Sequence, residues 1–240
     1  MKVILTGSTG TVGGGVLRRC LAHPSITEVV ALTRRPMEIK DAKLQNVIHK
    51  DFSKYDGDVI QQLKGAVACI WALGSPTSGK EVHVDYTQTA IKMLLQSVVP
   101  EEPTGRPFRF VYTSGGLVPY LDSNLLFFLG EIRKVRVRTR YSISAANSPD
   151  TQQGKLDQEV LDTETQNPGR WESFVARPWH VVDEPPRIRF LVSNSWIYKD
   201  ELGAAMVDAA LNGGGERIMD NAPMRERGQK AMETIEKGKL

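Results

Sequence analysis

The chain has 240 residues, and 31 Lys plus Arg stand against 28 Asp plus Glu for a formal net charge of +3. Hydrophobic residues make up 40% and charged residues 25%, which excludes a mainly disordered or collagen-like chain and predicts one globular domain over 1–240. The near balance of charge argues against wholesale nucleic-acid binding. Cys20 and Cys69 are too few for a disulfide framework and fit a reducing compartment. The apolar run Leu125–Leu129 falls far short of the ~20 residues that span a bilayer. Met1–Leu5 is too short an apolar stretch for a signal peptide. Together these predict a cytoplasmic protein without a transmembrane segment.

In chain order, short apolar runs alternate with amphipathic segments. Val3–Thr6 reads as a buried strand and Val12–Ala22 as a helix. Val29–Leu32 and Asn46–His49 are the second and third strands. Val59–Leu63 is a short helix and Ala68–Ala72 a fourth strand. Asp85–Val98 spaces Ala90, Met93, Leu94 and Val98 along one helical face. Phe108–Thr113 is a fifth strand. Glu159–Thr165 is helical, and Glu172–Ala176 is a strand ending at Arg177-Pro178. Asp200–Leu211 is a helix stopped by Asn212-Gly213-Gly214-Gly215, and Arg225–Lys237 is a last, charged helix. Near-continuous apolar strands between helices predict an α/β fold. Its parallel sheet is doubly wound, with helices on both faces and a small C-terminal substrate-side extension.

The motif Gly7-Ser8-Thr9-Gly10-Thr11-Val12-Gly13 follows a strand and opens a helix, the context a dinucleotide fingerprint requires. Gly7 permits the tight turn, Gly10 lets backbone approach a pyrophosphate, and Gly13 lets the helix pack close to the strand. The phosphates would sit at the helix N-terminus. At the end of the second strand, where an NAD site places an acid, stand Thr33-Arg34-Arg35. Two guanidiniums suit the 2′-phosphate of NADP; the plain alternative is a solvated basic turn. Asp51-Phe52 and Ala72-Leu73-Gly74 lie at the carboxyl ends of the third and fourth strands, where adenine and ribose bind in such sheets. Asp51 reads equally well as a turn or capping acid.

Taken together, Val3-Ile4-Leu5-Thr6-Gly7-Ser8-Thr9-Gly10, Ala31-Leu32-Thr33-Arg34-Arg35, Tyr112-Thr113-Ser114, Arg177-Pro178 and Asp200-Glu201-Leu202-Gly203-Ala204-Ala205-Met206 resemble the atypical short-chain dehydrogenase/reductase superfamily. Within it the chain resembles the Tat-interacting-protein-like subgroup and its fungal mitochondrial-surface relatives. The resemblance implies a Rossmann fold, NADPH binding and an alternative location at the mitochondrial outer surface. It also implies a monomer or homodimer acting on an unknown small molecule, with Ser114 as the catalytic serine, where the plain alternative is a loop hydroxyl capping a turn, and Pro178 beside the cofactor. The family's Tyr-x-x-x-Lys pair supplies the general acid and a ribose-binding lysine. No tyrosine here has lysine four residues later. Alignment places Ile132 at the tyrosine position and Arg136 at the lysine position, where arginine can still hold ribose. Tyr120 is a substitute acid if its loop delivers it. Trp179 replaces a family glycine, either stacking on substrate or filling the pocket. His180 is either a titrating acid or a packed residue. No Cys/His spacing marks a metal site.

Residues 137–153 are polar and lack helical periodicity. Joining Arg136 to Gly154 restores a continuous helix. The segment reads either as a looped-out surface insertion, whose closure cost grows slowly with length, or as an intron translated in frame. Codons for Val137-Arg138, Ala146-Asn147 and Gln153 admit a splice donor, a branch site and an acceptor. Unspliced transcripts alone would exclude the intron.

Overall fold

Along each central strand, successive side chains point to opposite faces, and in this chain both sets are apolar. The computed structural model describes residues 1–74, 79–114, 149–184 and 196–237. In order they form β1 (Lys2–Thr6), α1 (Thr11–Ala22), β2 (Glu28–Thr33), β3 (Leu44–Ile48), α2 (Gly57–Leu63) and β4 (Ala66–Trp71). A π-helical turn (Glu81–Asp85), α3 (Tyr86–Ser97), β5 (Phe108–Thr113), α4 (Pro149–Gln166) and β6 (Trp171–Ala176) follow. Then come β7 (Val181–Val182), β8 (Ile197–Tyr198), α5 (Lys199–Asn212), β9 (Ile218–Met219) and α6 (Asn221–Lys237).

The main sheet runs β3-β2-β1-β4-β5-β6-β9, with every pairing parallel. Val3, Leu5, Val29, Ala68, Ile70, Val111 and Phe174 pack on one face against α1, α5 and α6. Ile4, Val30, Cys69, Trp71, Phe110, Tyr112 and Val175 pack on the other against α2, α3 and α4. This two-sided alternation is the doubly wound architecture read from the sequence. A two-stranded parallel ladder, β7 with β8, stands apart from the sheet. The rest of the C-terminal part completes the sheet and covers one face.

Several boundaries move. The fourth strand ends at Trp71, so Ala72 opens the loop. The helix expected from Glu159 starts at Pro149, because proline needs no hydrogen-bonded N–H in a first turn. The last helix starts at Asn221, with Pro223 in its first turn. Pro149–Gln153 therefore have helical backbone, which corrects the expectation that this part of 137–153 is non-helical. The remainder of that segment, with Ile132, Arg136 and Tyr120, lies outside the described residues.

Candidate dinucleotide and active site

The strand order reverses at β1, whose neighbours are β2 and β4, and the crevice beyond their carboxyl ends is the position where open α/β sheets bind ligands. Gly7 lies there at φ 68°, a conformation side chains rarely adopt, and a Cβ on it would fall 2.0 Å from the Ala72 carbonyl oxygen. A Cβ on Gly13 would fall 2.1 Å from the Gly7 carbonyl oxygen. The Gly10 N–H donates to that same oxygen at 2.9 Å, closing the turn. Ala72 in turn donates its N–H to Thr6 Oγ1 at 3.1 Å, tying the β4 loop to the glycine loop. Thr9, Gly10 and Thr11 are exposed, while Val12 packs partly into the core. No side chain caps α1 and no acid sits in its first turn, which leaves its N-terminal N–H groups open to an anion. Ser8 is buried and donates its hydroxyl to Met37 Sδ at 3.2 Å.

Arg34 and Arg35 emerge exposed from the end of β2. Among the described residues neither forms an ion pair with a carboxylate. Asp51 is held in a local turn: its Oδ1 accepts from the Ser53 N–H at 3.0 Å and the Ser53 hydroxyl at 2.5 Å. Those bonds, and Lys54 at 3.9 Å, hold its carboxyl below the usual range. The Phe52 ring is 1% exposed and packs edge-on against His49 and Trp71. Leu73 packs partly into the same core. Gly74 has φ 132°, and its missing Cβ would meet the His83 ring at 2.7 Å. Tyr86 donates its hydroxyl to Glu81 at 3.2 Å; burial, that bond and the charges of Glu81 and Asp51 push its phenol up, while Arg34 opposes them.

Ser114 directly follows β5, its N–H donating to the Ala176 carbonyl at 2.8 Å. Across from it, α4 presents Asp157, which is 1% exposed and bonded through Oδ2 to Arg177 Nε at 2.8 Å. Burial pushes the Asp157 carboxyl up, against the opposing pull of Ser114 and Arg177. The Ser114 hydroxyl influences Asp157, yet neither Ser114 Oγ nor Asp157 Oδ1 completes a hydrogen bond among the described residues. Pro178 is buried, whereas Trp179 is 42% exposed and His180 is exposed. Trp179 therefore does not fill a closed pocket; its backbone N–H donates to Asn221 Oδ1 at 3.1 Å. Sequence reasoning missed Asp157, whose only signal was an acid on a helix facing Arg177-Pro178. It also missed Gly15, whose absent Cβ would meet Lys199 Cγ at 2.6 Å. Among the described residues no cluster of His, Cys, Asp or Glu could hold a metal ion, and no helix is long and apolar enough to cross a membrane.

The oxidoreductase YlbE from Lactococcus lactis superposes with a TM-score of 0.63 at 14% identity, covering 97% of each chain. The chain has the Rossmann fold. Gre2 from Candida albicans, solved in complex with NADPH, shares this Rossmann fold with a TM-score of 0.61 at 14% identity, over 92% of this chain and 78% of that one. By sequence, the chain is 31% identical over 116 residues to leucinostatins biosynthesis cluster protein T of Purpureocillium lilacinum, across 48% of this chain. It is 33% identical over 75 residues to the mitochondrial protein FMP52 of Meyerozyma guilliermondii, across 31% of this chain. These matches span only 42% and 32% of the two curated relatives' own lengths. No family model matches the chain.

Proposed function

We propose that this protein binds NADPH and belongs among the atypical short-chain dehydrogenase/reductases as a reductase of a small carbonyl compound. The observation that carries the reading is the pair Arg34 and Arg35, exposed and without a carboxylate partner among the described residues, at the end of the strand beside the glycine loop, whose helix has no side-chain cap. The residues fit the cofactor: Gly7 and Gly13 leave no room for side chains, no side chain caps the first turn of α1, and the two guanidiniums match a phosphate monoester. Backbone of residues 7–13 would hold the pyrophosphate. Asp51, Phe52 and residues 72–74 would border adenine and ribose, and Pro178 and Arg136 the nicotinamide end. When bound, NADPH supplies hydride. Ser114, whose hydroxyl lies beside Asp157, would orient the carbonyl oxygen by hydrogen bonding.

A second reading is a non-catalytic NADPH-responsive binding protein. It is favoured by the absent Tyr-x-x-x-Lys pair and by the burial of the Ser114 side chain next to the Asp157–Arg177 ion pair. The cytoplasm is the proposed location. The likeness to a mitochondrial protein supports peripheral attachment at the mitochondrial surface as the alternative. Titration of the purified protein with NADPH and NADH, followed by NADPH oxidation against a carbonyl panel, tests both readings. Absence of binding excludes both, and binding without turnover selects the second. Arg34→Asp weakens NADPH more than NADH; equal weakening contradicts the role given to the 2′-phosphate.

A further inference from the structure

We infer that Asn46 is a positioning residue for cofactor choice: its side-chain amide clamps both ends of the Arg34–Arg35 turn and thereby aims the guanidiniums at a 2′-phosphate. The inference rests on the NADPH reading above and extends it to a residue on a neighbouring strand. Asn46 lies in β3 and accepts the Met37 N–H on Oδ1 at 2.9 Å, just past the turn. Its Nδ2 donates to Thr33 Oγ1 at 2.6 Å and to the Ala31 carbonyl at 3.3 Å, just before the turn. Thr33, 5% exposed, passes the constraint on by donating its hydroxyl to the Arg35 carbonyl at 2.7 Å. The far end is pinned a second time where Ser8 of the glycine loop donates to Met37 Sδ at 3.2 Å.

The chemistry demands an amide. A backbone N–H only donates and a backbone carbonyl only accepts, and the one planar amide serves both, accepting from Met37 and donating to Ala31. A carboxylate lacks the donor, and an aliphatic side chain lacks both. The consequence is preorganisation. Arg34 and Arg35 have long, exposed side chains whose ordering is costly, and a fixed backbone between two anchors reduces what must be ordered when a phosphate arrives. The clamp touches neither arginine side chain, so its effect falls on the contact those arginines make. That contact is the 2′-phosphate, present in NADPH and absent from NADH.

The test is fluorescence titration of the full chain and its Asn46→Ala and Thr33→Val variants with NADPH and NADH, alongside thermal unfolding of each. Loss of one charge-assisted contact corresponds to about tenfold in affinity. NADPH affinity is expected to fall by about that factor, with NADH affinity changed by less than about twofold. The double variant is expected to lose little beyond either single one, because both remove one relay. If Asn46→Ala does not fold, Thr33→Val carries the measurement, since it removes the hydroxyl and keeps the shape. Equal losses for NADPH and NADH, or an unchanged ratio, overturn the clamp while leaving NADPH binding intact. A wild-type chain that does not distinguish the two dinucleotides overturns both the clamp and the reading beneath it.

Discussion

Asp157 is buried on α4 with the Arg177 guanidinium on its Oδ2 and the Ser114 hydroxyl beside it. Removing it by Asp157→Ala leaves Arg177, 8% exposed, as an uncompensated buried charge. Breaking such a pair costs about 3 kcal/mol, and a denaturant titration is expected to read a loss of that order. The pH dependence has a definite sign. Because burial raises the Asp157 carboxyl in the folded chain, the protonated form is favoured there relative to the unfolded chain. That contribution is fully present below the usual aspartate range and is lost as pH rises through the folded value. Unfolding free energies of the wild type and Asp157→Asn, measured from pH 3 upward, should therefore show the wild type losing ground as pH rises. An opposite slope means that the Arg177 charge outweighs desolvation. At the glycine loop a different constraint operates. Gly13→Ala drives a methyl to 2.1 Å from a backbone oxygen that cannot retreat without opening the turn. Overpacking of this kind costs about 3 kcal/mol, visible as lower stability together with weakened dinucleotide binding.

The elements on the α1 side are held by close helix approaches that no hydrophobic pattern announces. Gly15 of α1 meets Lys199 at the start of α5. Gly203 of α5 would place a Cβ 2.8 Å from the Gly15 carbonyl, and Gly228 of α6 would place one 2.1 Å from the Glu201 carbonyl. Three helices thus touch backbone to backbone, which positions α1, and with it the N-terminal N–H groups of the glycine loop. Gly228→Ala should push α6 off α5. Overpacking of about 2 kcal/mol translates to roughly 4–8 °C in a chain of this size, and calorimetry should record a fall in Tm in that range. Gly57→Ala is the control. It meets nothing within 4 Å and lies in α2 without a positive φ, so it should leave Tm unchanged or slightly raised. A comparable fall in both variants would show that generic helix glycines, not the crossing, set the stability.

At the scale of the molecule, the winding of the sheet was legible because its strands are apolar on both faces. Val3, Ile4 and Leu5 alternate between two cores, and no one-sided sheet uses such a run. The glycine loop was legible because Gly7, Gly10 and Gly13 answer backbone constraints local in sequence. Asp157 and Asn46 were not, since each acquires its role from partners on other elements: Arg177 after β6, and Thr33 and Met37 around the end of β2. The short β7–β8 ladder and β9 were illegible for a related reason, being two-residue pairings fixed by tertiary contacts rather than by their own pattern. The site joins these distant parts, with the β1 loop, the β2 turn and the β4 loop meeting at the crevice, so ligand binding there should stabilise the whole fold. At a hundredfold excess over Kd, a ligand that binds only the folded chain adds about 2.7 kcal/mol, equivalent to roughly 5–10 °C in Tm for a chain of this length. NADPH at that excess should raise Tm by this amount. NADH at the same concentration should raise it less, because Arg34 and Arg35 find no phosphate on it. Arg34→Asp should narrow the gap between the two dinucleotides while leaving the unliganded Tm near that of the wild type, since Arg34 is exposed and forms no ion pair among the described residues. Equal shifts with both dinucleotides in the wild-type chain would remove the phosphate from the recognition and leave only the glycine loop to account for binding.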